Sequence, residues 1–72
     1  MHGENVIRAE GTVEEILSER LCRVVLANGH RFYGHLPKRA VVAGVRFAVG
    51  EKVMAAMSPC DLSKGRLEWK KE

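Results

Sequence analysis

Only two cysteines and two prolines occur in the 72 residues, and aromatic side chains make up just 6% of them. A secreted domain of this size normally needs about two to four disulfides, so Cys22 and Cys60 are expected to be reduced thiols of a cytoplasmic chain. There is no CxxC, no Cys/His zinc spacing and no HExxH, which excludes a structural metal; no cofactor is expected. The longest nearly apolar stretch, Ala40 to Val49, is interrupted by Arg46 and falls far short of the ~20 residues of a membrane span. The opening MHGENVIRAEG lacks the apolar core of a secretory signal. Nor is there a Ser/His/Asp constellation, a glycine-rich phosphate loop or a paired-carboxylate motif, and His30 and His35 have no evident partner for acid–base work, which excludes catalysis.

The next scarcity is of negative charge, and it is local. Residues 1–19 hold one base (Arg8) against five acids (Glu4, Glu10, Glu14, Glu15, Glu19), a net of −4. Residues 20–50 hold six bases (Arg20, Arg23, Arg31, Lys38, Arg39, Arg46) and no acid at all, a net of +6. The whole chain is only +3. A run this long without a carboxylate predicts a positive field over one part of a small fold, and a polyanion is the natural partner.

What is present fits one soluble domain spanning residues 1–72. Apolar residues are 46% and charged residues 29%, the balance of a globular protein rather than a disordered one. A chain this short buries only about 60% of its unfolded surface, which leaves no room for a deep enclosed cavity. Five short strands are expected. The first is Val6 to Val13, with Gly11 as a bulge or bend, and it either runs on through Ile16 and Leu17 or gives way to a helical turn at Glu14-Glu15. The second is Leu21 to Ala27. Asn28-Gly29 then predicts a type I′ hairpin turn, with φ above zero at both central residues, into a third strand from His30 to Leu36, ended by Pro37. A connector to Gly50 reads as either a helical turn or extended chain. Lys52 to Ser58 is the fourth strand, Pro59 to Gly65 a loop, and Arg66 to Lys70 the fifth strand.

Alternation assigns the faces. Cys22, Val24 and Leu26 share one side of the second strand, matched across the hairpin by Phe32, Gly34 and Leu36. Val53, Ala55 and Met57 are the inward set of the fourth strand, and Leu67 and Trp69 of the fifth. Closing five such strands into a barrel removes most of the exposed edge. The expected fold is therefore all-β, a five-stranded oligonucleotide-binding (OB) barrel with a short helical or irregular connector between strands 3 and 4; an SH3-like barrel is the rival. The outward face of strands 2 and 3 is where the OB architecture binds nucleic acid. Here it offers Arg23, Arg31, Tyr33 and His35, with His30 beside the turn. Guanidinium groups suit phosphates and Tyr33 suits a base, although Tyr33 also reads as a cross-strand packing residue and the histidines as exposed or turn-stabilising imidazoles. So few aromatics argue against serial base stacking and towards the shape and phosphates of folded RNA.

Several stretches are specific enough to resemble a known family: Glu10-Gly11-Thr12-Val13, Cys22-Arg23-Val24, Asn28-Gly29-His30, Gly34-His35-Leu36, Gly50-Glu51-Lys52-Val53 and, above all, Ser58-Pro59-Cys60-Asp61-Leu62-Ser63-Lys64-Gly65-Arg66. End to end, the chain resembles bacterial translation initiation factor 1. The resemblance implies an OB-fold that binds the small ribosomal subunit and its RNA at the decoding (A) site as a monomer, acting with the other two initiation factors and without a membrane. It carries RNA-facing or basic sites over to Arg23, His30, His35, Arg39, Arg46, Lys64 and Arg66; with the outward-face residues Arg31 and Tyr33 and the connector's Lys38 these form the candidate RNA-binding set. Asp61 is expected to bond amides of its own turn, and Lys64 and Arg66 to frame Gly65 in a loop-to-strand turn. The connector departs from the family pattern. Val41, Val42 and Ala43 stand where cationic and polar residues are usual, and Cys60 where an aromatic is usual, so the chain reads as a divergent copy. Two other readings use the same features: a non-specific RNA chaperone on the same basic face, and a protein-interaction barrel that makes contact through Val41, Val42 and Phe47.

Overall fold

The computed structural model describes residues 6–69. In chain order the elements are β1 (Ile7–Ser18), β2 (Leu21–Leu26), β3 (Arg31–His35), α1 (Lys38–Val42), β4 (Lys52–Ser58) and β5 (Asp61–Leu67). The strands close into a barrel in the order β1-β2-β3-β5-β4, which is the OB connectivity; the SH3-like alternative is set aside. All neighbours are antiparallel except β3 and β5, which pair in parallel with Tyr33 opposite Lys64, Gly34 opposite Gly65 and His35 opposite Arg66.

The alternation of inward residues follows the sequence pattern. Val13, Cys22, Val24, Phe32, Leu36, Val53, Ala55, Met57 and Leu67 are buried, as is Ala40 of the helix. The parallel seam closes over two glycines. A Cβ at Gly34 would stand 2.7 Å from a Leu67 methyl, and one at Gly65 would stand 2.9 Å from Met57 Cγ and 3.0 Å from the Phe32 ring. The barrel interior has no space for a side chain at either position.

Four local expectations are corrected. First, the bulge or bend expected at Gly11 is absent; of the two expected courses β1 takes the one through Ile16 and Leu17, ending at Ser18 with Glu14-Glu15 in strand. Its irregularities fall between Val13 and Glu15 and between Ile16 and Ser18, while Gly11 pairs regularly with both Leu26 and Val53. Second, the turn at Asn28-Gly29 is not type I′, since Gly29 has φ 90° but among the described residues no non-glycine residue, Asn28 included, has positive φ. Gly29 N–H donates to the Leu26 carbonyl (2.9 Å) and Leu26 N–H to the His30 carbonyl (2.8 Å), giving a three-residue loop with glycine at the left-handed position. Asn28 holds it through Oδ1, which accepts from His30 N–H (2.9 Å). The flanking strands are accordingly a residue shorter at this end than expected, β2 stopping at Leu26 and β3 starting at Arg31.

Third, the stretch expected as a loop from Pro59 to Gly65 is mostly strand. Ser58 pairs with Asp61 across a tight Pro59-Cys60 turn, and β5 starts at Asp61 rather than Arg66. Its first four residues, Asp61 to Lys64, are exposed because only Gly65 and Leu67 face the core, and Leu62 is their single apolar residue, so no alternating apolar signal marks them. Fourth, Lys64, Gly65 and Arg66 therefore lie inside a strand, not in a turn. The expected fifth strand ended at Lys70, which lies outside the described residues; Trp69 is half-buried against the core.

The connector forms a short helix. Gly44 N–H donates to the Val41 carbonyl and Val45 N–H to the Ala40 carbonyl, both at 3.0 Å, the paired bonds that end a helix in a Schellman motif. Ala40, Val41, Val45 and Phe47 turn onto the barrel, whereas Val42 is 78% exposed. Among the described residues no helix is long and apolar enough to cross a membrane.

Both cysteines are free, Cys22 buried and Cys60 exposed in the Pro59-Cys60 turn. Burial pushes the Cys22 thiol up, and the thiolate is the reactive form. Iodoacetamide should alkylate Cys60 in the native protein and leave Cys22 untouched until denaturant is added. Mass mapping that finds both modified at the same rate would contradict this placement.

Candidate nucleic-acid interface

Strand register decides which candidate residues become neighbours. On the outward face, Tyr33 lies between Lys64 of β5 and Arg23 of β2, and Arg23 lies beside Glu15 of β1. One row further along, His35 lies between Arg66 of β5 and Leu21 of β2. Arg31 pairs with Val25 in the row on the other side. Lys64 and Arg66, far from β3 in sequence, are thus brought directly against its exposed side chains, Tyr33 and His35. The parallel β3–β5 pairing does this. Neither Lys64 nor Arg66 makes an ion pair among the described residues.

Arg20 belongs to the basic run but not to the candidate set, and the structure adds it to this group. It sits in the β1–β2 turn and grips the end of β3: its carbonyl accepts from Leu36 N–H (2.9 Å) and its Nε donates to the Leu36 carbonyl (3.2 Å). Pairing of Leu21 with His35 puts it next to that histidine. Burial, then Arg66, Arg20 and Lys64, hold the His35 imidazole below its ordinary value. The Gly65–Arg66 stretch, Lys64, His35 and Ser58 line a shallow groove here. Arg20 also lines a small apolar cleft of about 110 Å³ with Arg46, Leu21, Leu36 and Phe47. That cleft gathers Arg46 to the β1–β2 turn end of the barrel.

His30 is tied down. Its Nε2–H donates to the Leu62 carbonyl at 2.7 Å, linking the β2–β3 loop to the start of β5, and its ring lies 18° from the plane of Phe32 with centroids 6.3 Å apart. This is a structural task at the edge of the candidate face. Lys38 and Arg39 are exposed on α1. Asp61 bonds a backbone amide two residues on, but inside β5 rather than in a turn: Oδ1 accepts from Ser63 N–H (3.1 Å) and from the Ser63 hydroxyl, which lowers the carboxyl below its usual range.

The largest departure concerns Arg23 and Arg31. The acid-free stretch predicted that they would be open cations, but β1 lies beside β2 and brings its glutamates with it. Arg23 Nη2 bonds the Glu15 carboxylate, and Arg31 Nε donates to both Glu14 oxygens (2.9 and 3.1 Å). Glu14 also lies 3.5 Å from Arg23 Nε. Arg31, and behind it Arg23, holds the Glu14 carboxyl below its usual range. Charge separated along the chain is re-mixed by strand pairing, so the free positive charge on this face centres on β5. Elsewhere Arg8 makes a two-bond pair with Glu68, each bond 2.7 Å.

No family model matches the chain. Among solved structures it is similar to the solution structure of translation initiation factor 1 from the Wolbachia endosymbiont strain TRS of Brugia malayi, at 28% identity and a TM-score of 0.70, over 93% of this chain and 79% of that one. With this closed β1-β2-β3-β5-β4 barrel and that likeness over 93% of the chain, the protein has an OB-fold similar to that of translation initiation factor 1.

Proposed function

We propose that this chain serves translation initiation by binding the small ribosomal subunit at the decoding (A) site, with the outward face of β2, β3 and β5 against ribosomal RNA and alongside the other two initiation factors. The observation that carries the reading is the structural likeness to an initiation factor over 93% of the chain. The surface chemistry supports it. Two cations that form no ion pair among the described residues, Lys64 and Arg66, stand next to an exposed tyrosine and an imidazole on the face that OB-folds use for oligonucleotides. Lysine and arginine take phosphates, and a single exposed aromatic, Tyr33, suits one unstacked base rather than a run of them. Lys38 and Arg39 of α1 extend the contact, and Arg46 and Arg20 flank it. Binding, not catalysis, is the activity assigned. The protein-interaction reading keeps only Val42, which is 78% exposed, because its other two contact residues, Val41 and Phe47, pack on the barrel.

Sedimentation with isolated small subunits, with and without the other two factors, tests this reading. The chain should travel with the subunits at physiological salt and be displaced by ribosomal RNA fragments better than by random RNA. Equal competition would favour a general RNA chaperone, and no co-sedimentation would overturn the reading. The binding should also strengthen as pH falls through about 6.5. Free His35 is held below about 6.5 by burial and its cationic neighbours; a phosphate seated among them cancels the repulsion and raises its affinity for a proton. Binding therefore takes up a proton, and affinity gains at most about tenfold per pH unit in that window. His35→Gln should remove the dependence.

A further inference from the structure

We infer that Glu14 and Glu15 act as an intramolecular carboxylate clamp on Arg23 and Arg31, making them determinants of which polyanions the RNA-facing surface accepts. This rests on the reading of that surface as the RNA contact.

The clamp has a specific structural origin. Along a regular strand Val13 would be followed by one outward and one inward residue. The irregularity between Val13 and Glu15 inserts Glu14, so that Glu15 and not Glu14 becomes the partner of Arg23. A bulge of this kind re-aims side chains, and here two consecutive carboxylates reach the same outward face. They meet two guanidinium groups on two further strands: Glu15 bonds Arg23 of β2, and Glu14 reaches past β2 to Arg31 of β3. The four formal charges cancel. Arg23 Nε is the one buried side-chain donor among the described residues without a hydrogen-bond partner.

The consequence is a graded surface. Lys64 and Arg66 are free to meet any phosphate. Arg23 and Arg31 are not, since a phosphate must displace a carboxylate that already accepts a charge-assisted hydrogen bond from each. An unstructured polyanion that presents charge without shape gains little from that exchange. A folded RNA that fits the barrel holds its phosphates in place against the two arginines and can compete. Whether the arginines stay clamped or change partners, the freed or retained carboxylates hold cations near the complex. The salt dependence is therefore shallower than a count of basic residues predicts.

The test compares wild type with Glu14→Gln/Glu15→Gln, using Glu10→Gln as a control. Glu10 is an exposed β1 residue in no ion pair among the described residues. The probes are poly(U) and isolated small subunits, each titrated over a range of salt. With two arginines released onto a single strand, the log–log slope for poly(U) should steepen by about 1.4, so the variant's advantage should change about sevenfold between about 50 and 200 mM salt. Binding to small subunits should gain less, narrowing the preference for them over poly(U). Each single variant should give part of the effect, and Glu10→Gln should give none beyond a small uniform gain. The clamp is refuted if wild type binds small subunits while the double variant, melting normally, shows an unchanged slope and an unchanged preference. If wild type binds no small subunits, the functional reading itself fails, which is a separate outcome.

Discussion

Replacing Lys64 and Arg66 together with alanine should remove most of the chain's grip on the small subunit while leaving the barrel folded. Both side chains are exposed and form no ion pair among the described residues, so their loss leaves no buried group stranded and stability should change by less than about 1 kcal/mol. The binding cost is different in kind. Each cation is placed beside a β3 side chain that shares its target, Lys64 with Tyr33 and Arg66 with His35. Arg23 and Arg31 are already occupied, so β5 supplies a disproportionate share of the free charge. Two lost charged contacts should weaken binding by about 2 kcal/mol or more, roughly thirtyfold, and flatten the salt slope by about 2. Lys52→Ala is the comparison. It removes one positive charge from the outward side of β4 at the far end of the strand, opposite Thr12, and should cost far less than half of the double variant's loss. Should the double variant and Lys52→Ala bind alike, the contact surface lies elsewhere on the barrel.

The inward residues were legible in the sequence because burial has a period. Val24, Phe32, Val53, Ala55, Met57 and Leu67 alternate with residues that are not buried, and all are buried themselves. The closed barrel followed from too many amphipathic strands in too short a chain. Two kinds of information were not legible. Asp61 to Lys64 have no apolar alternation, since their strand is recruited by a two-residue turn and by parallel pairing to β3; the sequence pattern there is that of a loop. Lateral neighbours were hidden for a related reason. Pairing register is a long-range property, and only register could reveal that Glu15 lies beside Arg23 or that Arg66 lies beside His35. Charge segregation along the chain overestimated charge segregation in space for that reason. The turn was half legible: glycine at position 29 and the Asx bond of Asn28 follow from residue type, but the loop length depends on where the strand hydrogen bonds stop.

Phe32→Ala should be the most damaging single change in the core. Phe32 is only 2% exposed and is the largest of the fully buried side chains. Its ring lies against the seam at Gly65 and stacks near His30, whose imidazole holds the Leu62 carbonyl. Truncation should cost about 3–5 kcal/mol in a chain of 72 residues, whose total stability is of order 4–11 kcal/mol by the usual per-residue range. A loss of that size should lower Tm by about 12 °C or more. Phe32→Leu, which keeps most of the volume, should cost about 1.5 kcal/mol, so denaturant titration of the two variants separates lost packing from a tolerated change of shape. The damage should also reach the binding face. The seam that Phe32 supports is the one that sets Lys64 beside Tyr33 and Arg66 beside His35, so at temperatures where Phe32→Ala is still mostly folded it should bind small subunits more weakly than its folded fraction accounts for. Full affinity per folded molecule would mean that the face keeps its geometry without the ring beneath it, and that the β3–β5 pairing is held by its backbone hydrogen bonds alone.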